Sequence, residues 1–143
     1  MIAGGVAAGI SRLPAEPQAG ATPLLRYGQE RCAYCTMSID DPRFASAWRT
    51  PDGAERHFDD IGCMVNAYRR EGPPANAKYW VHDYRSEAWL DAREATYLVA
   101  PAIKTPMAYG VAAFATADAA TATVPERATL AWADVLSRIE RKG

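Results

Sequence analysis

Cys32, Cys35 and Met37 fall together in the stretch ERCAYCTMSIDDPRF, residues 30–44. Two thiols and a thioether at this spacing admit three chemistries. A dithiol redox couple ordinarily sits at a helix N-terminus, where the dipole lowers the first thiol's pKa. Here no amphipathic helix begins at Cys35, and Asp40, Asp41 and Pro42 make a turn instead. A structural zinc site needs a second pair of Cys or His ligands. Only Cys63, His57 and His82 remain, widely spaced, and such a site leaves Met37 idle. Thiolate and thioether together select a soft d10 ion, Cu(I), which is content with two or three ligands. In an extended segment Cys35 and Met37 point to one side, while Cys32 needs a local bend to join them.

Other candidates lie further along. Met107 follows Pro106 in a loop, where a flexible apolar side chain is poorly explained as helix core. Cys63 falls in the first turn of a predicted helix, off its apolar stripe, where the dipole favours a thiolate although a small buried thiol is the plainer reading. Met64 lies on that stripe and reads as core. His82 sits mid-strand beside Trp80 and Tyr84, as a hydrogen-bonded core histidine does, and His57 ends a hairpin, exposed. Cys63, His82, His57 and Met64 are therefore kept only as additional metal candidates.

The elements that must hold these side chains follow from periodicity. Residues 44–58 read as a hairpin around Pro51-Asp52-Gly53. Asp59 or Asp60 is a good N-cap for a helix carrying Ile61, Met64, Val65 and Tyr68 on one face, stopped by Gly72-Pro73-Pro74. Residues 77–84, 94–100 and 110–116 read as strands, and Pro101 and Pro106 forbid a regular helix between the last two. Trp132, Val135, Leu136 and Ile139 mark a closing helix. The order, strand-strand-helix-strand and then strand-strand-helix, suggests two similar small α+β units. The expected divisions are a tether over 1–22, a first ββαβ unit over 23–86 and a second over 87–143.

Composition bounds the function. The chain has 143 residues, 49% of them hydrophobic, and a net charge of −1. It can form a packed core, and no Lys/Arg stripe marks it for nucleic acid. No segment approaches the ~20 apolar residues of a membrane span. The first 21 residues, a short apolar run and then a Pro/Ala/Gly-rich tether ending in Ala19-Gly20-Ala21, read as the tail of a secretory signal or as a flexible extension. Three cysteines are an odd number for a disulfide framework.

The segments CAYCTMSIDDPRFASAW, HFDDIGCM, YWVHDY, WLDAREATYLV and TPMAYGVAAF stand in the same order as in the NosL family, which the chain resembles from residue 27 to about 136. That resemblance implies a Cu(I) chaperone, not an enzyme, made of two ββαβ-type units packed together in an α+β fold related to the organomercurial lyase MerB. It implies work in the periplasm. Copper would pass through an ABC-type complex at the inner membrane to the copper centres of nitrous oxide reductase, the final recipient. Carried over by position, the metal ligands are Cys35, Met37 and Met107, with Cys32 in support. Thr36 and Ala108 stand where the family has glycine. No cysteine precedes Cys32 to serve as the lipid-attachment site of many family members, so an unanchored form is expected. Tyr34, Trp48, Phe58 and Tyr109 are expected to form a rim that limits water. Two rivals remain: a MerB-like enzyme using Cys35, Cys63 and Asp59 or Asp60, and a binding module with a Cys32–Cys35 disulfide or redox pair.

Overall fold

Thr50 to Ala54 make the first reversal of the chain. Thr50 N–H donates to the Ala54 carbonyl at 2.9 Å, and Gly53 turns with φ of 91°. This folds β1 (Ser46–Arg49) against β2 (Glu55–Phe58) in antiparallel register, Ser46 facing Phe58. The structure, a computed structural model, describes residues 21–142; the expected tether falls almost wholly outside them. Helix α1 (Ile61–Glu71) follows. Asp60 caps it, its side chain accepting from Gly62 N–H, and Gly72 ends it in the left-handed region at φ 59°. β3 (Lys78–His82) then returns to pair with the other edge of β1. A short β4 (Trp89–Asp91), which alternation alone does not reveal, adds to β3 and completes a four-stranded sheet ordered β2-β1-β3-β4.

The second half repeats this order in reduced form. β5 (Thr96–Val99) pairs with β6 (Val111–Phe114), and α2 (Ala117–Thr123) follows. A third strand is represented by one bridge, Tyr97 to Leu130, on the free side of β5. α3 (Trp132–Arg138) closes the described chain. β5 therefore takes the central place that β1 holds, with β6 in the place of β2 and Leu130 in the place of β3. The tight β1–β2 turn is replaced by a loop over residues 100–110.

The halves are joined in several places. Asp83 bridges Ala113 in parallel, with Tyr84 N–H donating to the Ala113 carbonyl at 2.8 Å. Trp132 of α3 packs between Tyr79 of the first sheet (centroids 5.9 Å) and Tyr97 of the second (6.0 Å). Rings at such separations bury large apolar areas and prefer tilted geometry. The main core collects residues of both halves around α1, including Met64, Val65, Phe58 and Val111, all fully buried. Trp48 and Phe58 stack at 4.9 Å inside it, so they belong to the core and not to a solvent rim.

Candidate metal centre

The segment from Cys32 to Met37 is a closed turn, not an extended strand. Cys32 N–H donates to the Met37 carbonyl at 2.8 Å, and Thr36 N–H to the Cys32 carbonyl at 3.0 Å. Closing it places Thr36 in the left-handed region, φ 69°, where glycine is favoured. The turn supplies the bend that brings Cys32 beside Cys35. Met37 is 57% exposed, and the i, i+2 argument, which assumes an extended segment, does not apply to this turn.

β2 runs straight into the start of α1, and this junction meets the turn. The sulfurs of Cys32, Cys35 and Cys63 and a carboxylate oxygen of Asp59 all lie within 4.8 Å of one another. Cys35 Sγ donates to Asp59 Oδ1 at 3.2 Å. Ala33 N–H bonds to the His57 carbonyl at 2.8 Å, fixing turn to strand. Asp59 is nearly fully buried, and its Oδ2 has no hydrogen-bond partner. A buried carboxylate oxygen without a partner ordinarily costs ~1–3 kcal/mol.

Protons are unevenly distributed over the cluster. A hydrogen bond from Cys63 is the main cause that lowers the Cys32 thiol to about 7, helped by the backbone N–H groups of Cys35 and Tyr34. Cys63, giving that hydrogen bond and buried at the helix start, is pushed far up, against the dipole-based expectation. Burial raises Cys35 to about 12. One thiolate, at Cys32, is thus available near neutral pH, and a metal must displace protons from the other two.

The loop between β5 and β6 closes over this junction. Asp60 Oδ2 accepts from Met107 N–H at 3.0 Å while its Oδ1 caps α1. Burial raises the Asp60 carboxyl, and hydrogen bonding to the Thr105 side chain and to the Gly62 and Met107 N–H groups opposes that rise. Gly62 leaves room for the ring of Tyr109: a Cβ there would come within 2.1 Å of a ring carbon. Asn66 Nδ2 donates to Tyr109 Oη at 3.1 Å. Cys35 and Met107 consequently line one cavity of 360 Å³, with Tyr34, Tyr109, Arg70 and Lys142. Lys142 Nζ donates to the Met107 carbonyl at 2.8 Å, and Tyr34 Oη to that of Lys142 at 2.6 Å. Ala108, like Thr36, is left-handed, at φ 60°. Thr36 and Ala108 therefore both occupy the conformation glycine favours.

The remaining candidates do other work. His82 is buried and satisfied on both ring nitrogens, by Tyr27 Oη and the Ala45 carbonyl, each at 2.9 Å. His57 is partly buried, between Glu55 at 2.9 Å and Glu30 at 3.4 Å. Met64 is core. Cys63 joins the cluster, and so does Asp59, which sequence reasoning weighed only as a cap or an acid. Of the expected rim, Tyr34 and Tyr109 line the cavity.

The NosL family model matches residues 26–135. The chain belongs to the NosL family. Among solved structures, the copper chaperone NosL from Shewanella denitrificans has the same fold, with a TM-score of 0.67 at 13% identity over 85% of this chain and 96% of that one. No functionally curated protein matches the chain. No helix among the described residues is long and apolar enough to cross a membrane. In this NosL-family chain the cysteine turn, the start of α1 and the Met107 loop are three separate segments that one carboxylate pair, Asp59 and Asp60, draws together.

Proposed function

We propose that the protein is a Cu(I) carrier. What carries the reading is the convergence of Cys32, Cys35, Cys63 and Asp59 beneath a cavity that Cys35 shares with Met107. Thiolate with thioether suits Cu(I) and is a poor match for zinc. Cys35 and Met107 are the proposed ligands, Cys32 supports them, and exposed Met37 offers the ion its first or last contact. A centre of two or three soft ligands open on one side lets a recipient's ligand join the ion before the donor's ligands leave. Family membership supports a periplasmic carrier that hands copper, through an ABC-type complex at the inner membrane, to the copper centres of nitrous oxide reductase.

Anaerobic titration with Cu(I) against a competing chelator tests this. One copper per chain is expected, lost in Cys35→Ser and weakened in Met107→Leu and Met37→Leu. Equal Zn(II) affinity with no methionine dependence would overturn it.

One observation favours a second reading. A MerB-like lyase needs two thiols and an acid in one place, and Cys35, Cys63 and Asp59 meet that condition. In that chemistry the metal–carbon bond breaks, two thiolates keep the metal, and a proton passes to the carbon. Release of hydrocarbon from an organomercurial, with turnover, would favour the enzyme.

A further inference from the structure

Three arginines touch the Cys32–Met37 turn, and a lysine lies beside it. Arg31 donates to the Thr36 carbonyl at 3.1 Å, and Arg56 to the Ala33 carbonyl at 3.2 Å. Arg70 stacks on the Tyr34 ring at 4.7 Å, and Lys142 lies 4.7 Å over Tyr109. Arg69 and Arg141 line an adjoining cavity of 250 Å³ that shares Tyr34, Arg70 and Lys142 with the sulfur cavity. Among the described residues, two acidic side chains pair with these groups: Glu71 with Arg56 and Arg70, and Glu140 with Lys142. The carboxylates of Asp59 and Asp60 are buried beneath and face inward. The chain as a whole carries −1, so its remaining surface is acidic on balance.

A basic mouth is an unexpected approach for a free monovalent cation, which it repels. It fits delivery and removal by another protein, whose charges can match. We propose that this face, from Arg31 across Arg70 to Arg141, docks an acidic protein surface that carries the exchanging copper ligand. The proposal rests on the Cu(I) carrier reading. Complementary charge of this kind orients the encounter and raises association rates by ~10–1,000-fold at low salt. Met37, exposed one residue beyond the Thr36 carbonyl that Arg31 holds, offers its thioether to the partner's ligand.

The test follows copper transfer by stopped flow. The donor is the copper-loaded chain. The acceptors are two unstructured peptides with the same Met-x-x-Met core, flanked in one by glutamates and in the other by lysines. Transfer to the glutamate peptide is expected to be about tenfold or more faster at low salt, with the advantage lost near 1 M salt, where the Debye length is about 3 Å. Arg141→Gln and Arg141→Glu, at a residue that does not line the sulfur cavity, are expected to weaken the preference in that order with Cu(I) affinity unchanged. Lys78→Glu is the equal charge reversal at the far end of the sheet, where Lys78 pairs with Arg49, and is expected to keep it.

Equal rates with both peptides in a chain that binds Cu(I) would overturn the docking proposal alone. Preference unchanged in the arginine variants would also overturn it. Retention on phosphatidylglycerol vesicles without preference between peptides would replace it with a membrane surface. A chain that takes up no Cu(I) would overturn the carrier reading and this proposal with it.

Discussion

The two halves of the molecule share one plan and differ in how much of it is built. The first has four paired strands and an eleven-residue helix with side-chain N-cap and glycine C-cap. The second keeps two strands, a single bridge at Leu130 and a seven-residue α2 that buries Ala120 alone. The well-paired half holds the thiols, whose positions depend on a fixed strand end and a capped helix. The reduced half gives up its tight hairpin turn for a long loop and thereby gains reach, enough to set Met107 over the neighbouring half. A rigid base with a reaching arm is a suitable form for a site that must both hold an ion and let it go.

Changes at the junction of the halves break that pairing most severely. Trp132 contacts Tyr79, Tyr97 and Tyr68, so Trp132→Ala is expected to cost ~3–5 kcal/mol in chemical denaturation. A biphasic transition would show the two halves separating. Gly62→Ala is next. The new methyl displaces Tyr109, at ~1–3 kcal/mol, and the Met107 loop moves with it. In that background Met107→Leu is expected to have no further effect on Cu(I) affinity, read by chelator competition, whereas Cys35→Ser still abolishes binding.

Proton release sharpens the comparison from the thiol side. Cys35 is raised to about 12 and is protonated at pH 7, whereas Met107 has no proton to lose. Binding through Cys35 therefore expels a proton, and apparent Cu(I) affinity is expected to rise about tenfold per pH unit for each proton displaced below that value. Cys32, lowered to about 7, adds its own dependence only below pH 7. In Met107→Leu, which still binds through Cys35, the same pH dependence near neutrality is expected at lower affinity. The smallest effect concerns the two left-handed residues. Thr36→Gly and Ala108→Gly are each expected to stabilise the chain by about 0.5–1 kcal/mol in thermal melts. A loss at either position would mean that the side chain's contacts outweigh backbone strain.

The sequence was most legible where one element carries its own signal. The Pro51-Asp52-Gly53 hairpin, the Asp60-capped α1 and the strands at 78–82, 96–99 and 111–114 are all announced by alternation, helical spacing or capping chemistry. β4 escaped because three residues cannot show a period; pairing with β3 makes it a strand. α2 escaped because an Ala/Thr run with one buried residue has no apolar stripe. At the centre, the sulfur types and Met107 were readable as chemistry. Cys63 and Asp59 were readable as candidates, but their meeting with Cys32 and Cys35 was not settled, because it depends on where β2 ends relative to the Cys32–Met37 turn, a tertiary relation. The turn itself was misjudged as extended. Thr36, a β-branched residue, hides a left-handed position that glycine would have advertised.

The unpartnered Oδ2 of Asp59 sets folding and function against each other. A buried oxygen that nothing satisfies weakens the unliganded fold, and the weakness is removed when a cation or donor meets it. Asp59→Leu is therefore expected to raise the melting temperature of the free chain while reducing the further rise that metal gives. For the wild-type chain the corollary is practical: a melting-temperature screen across candidate metals, each stabilising by RT ln(1 + [L]/Kd), ranks them by affinity for the native state with no prior choice of reporter.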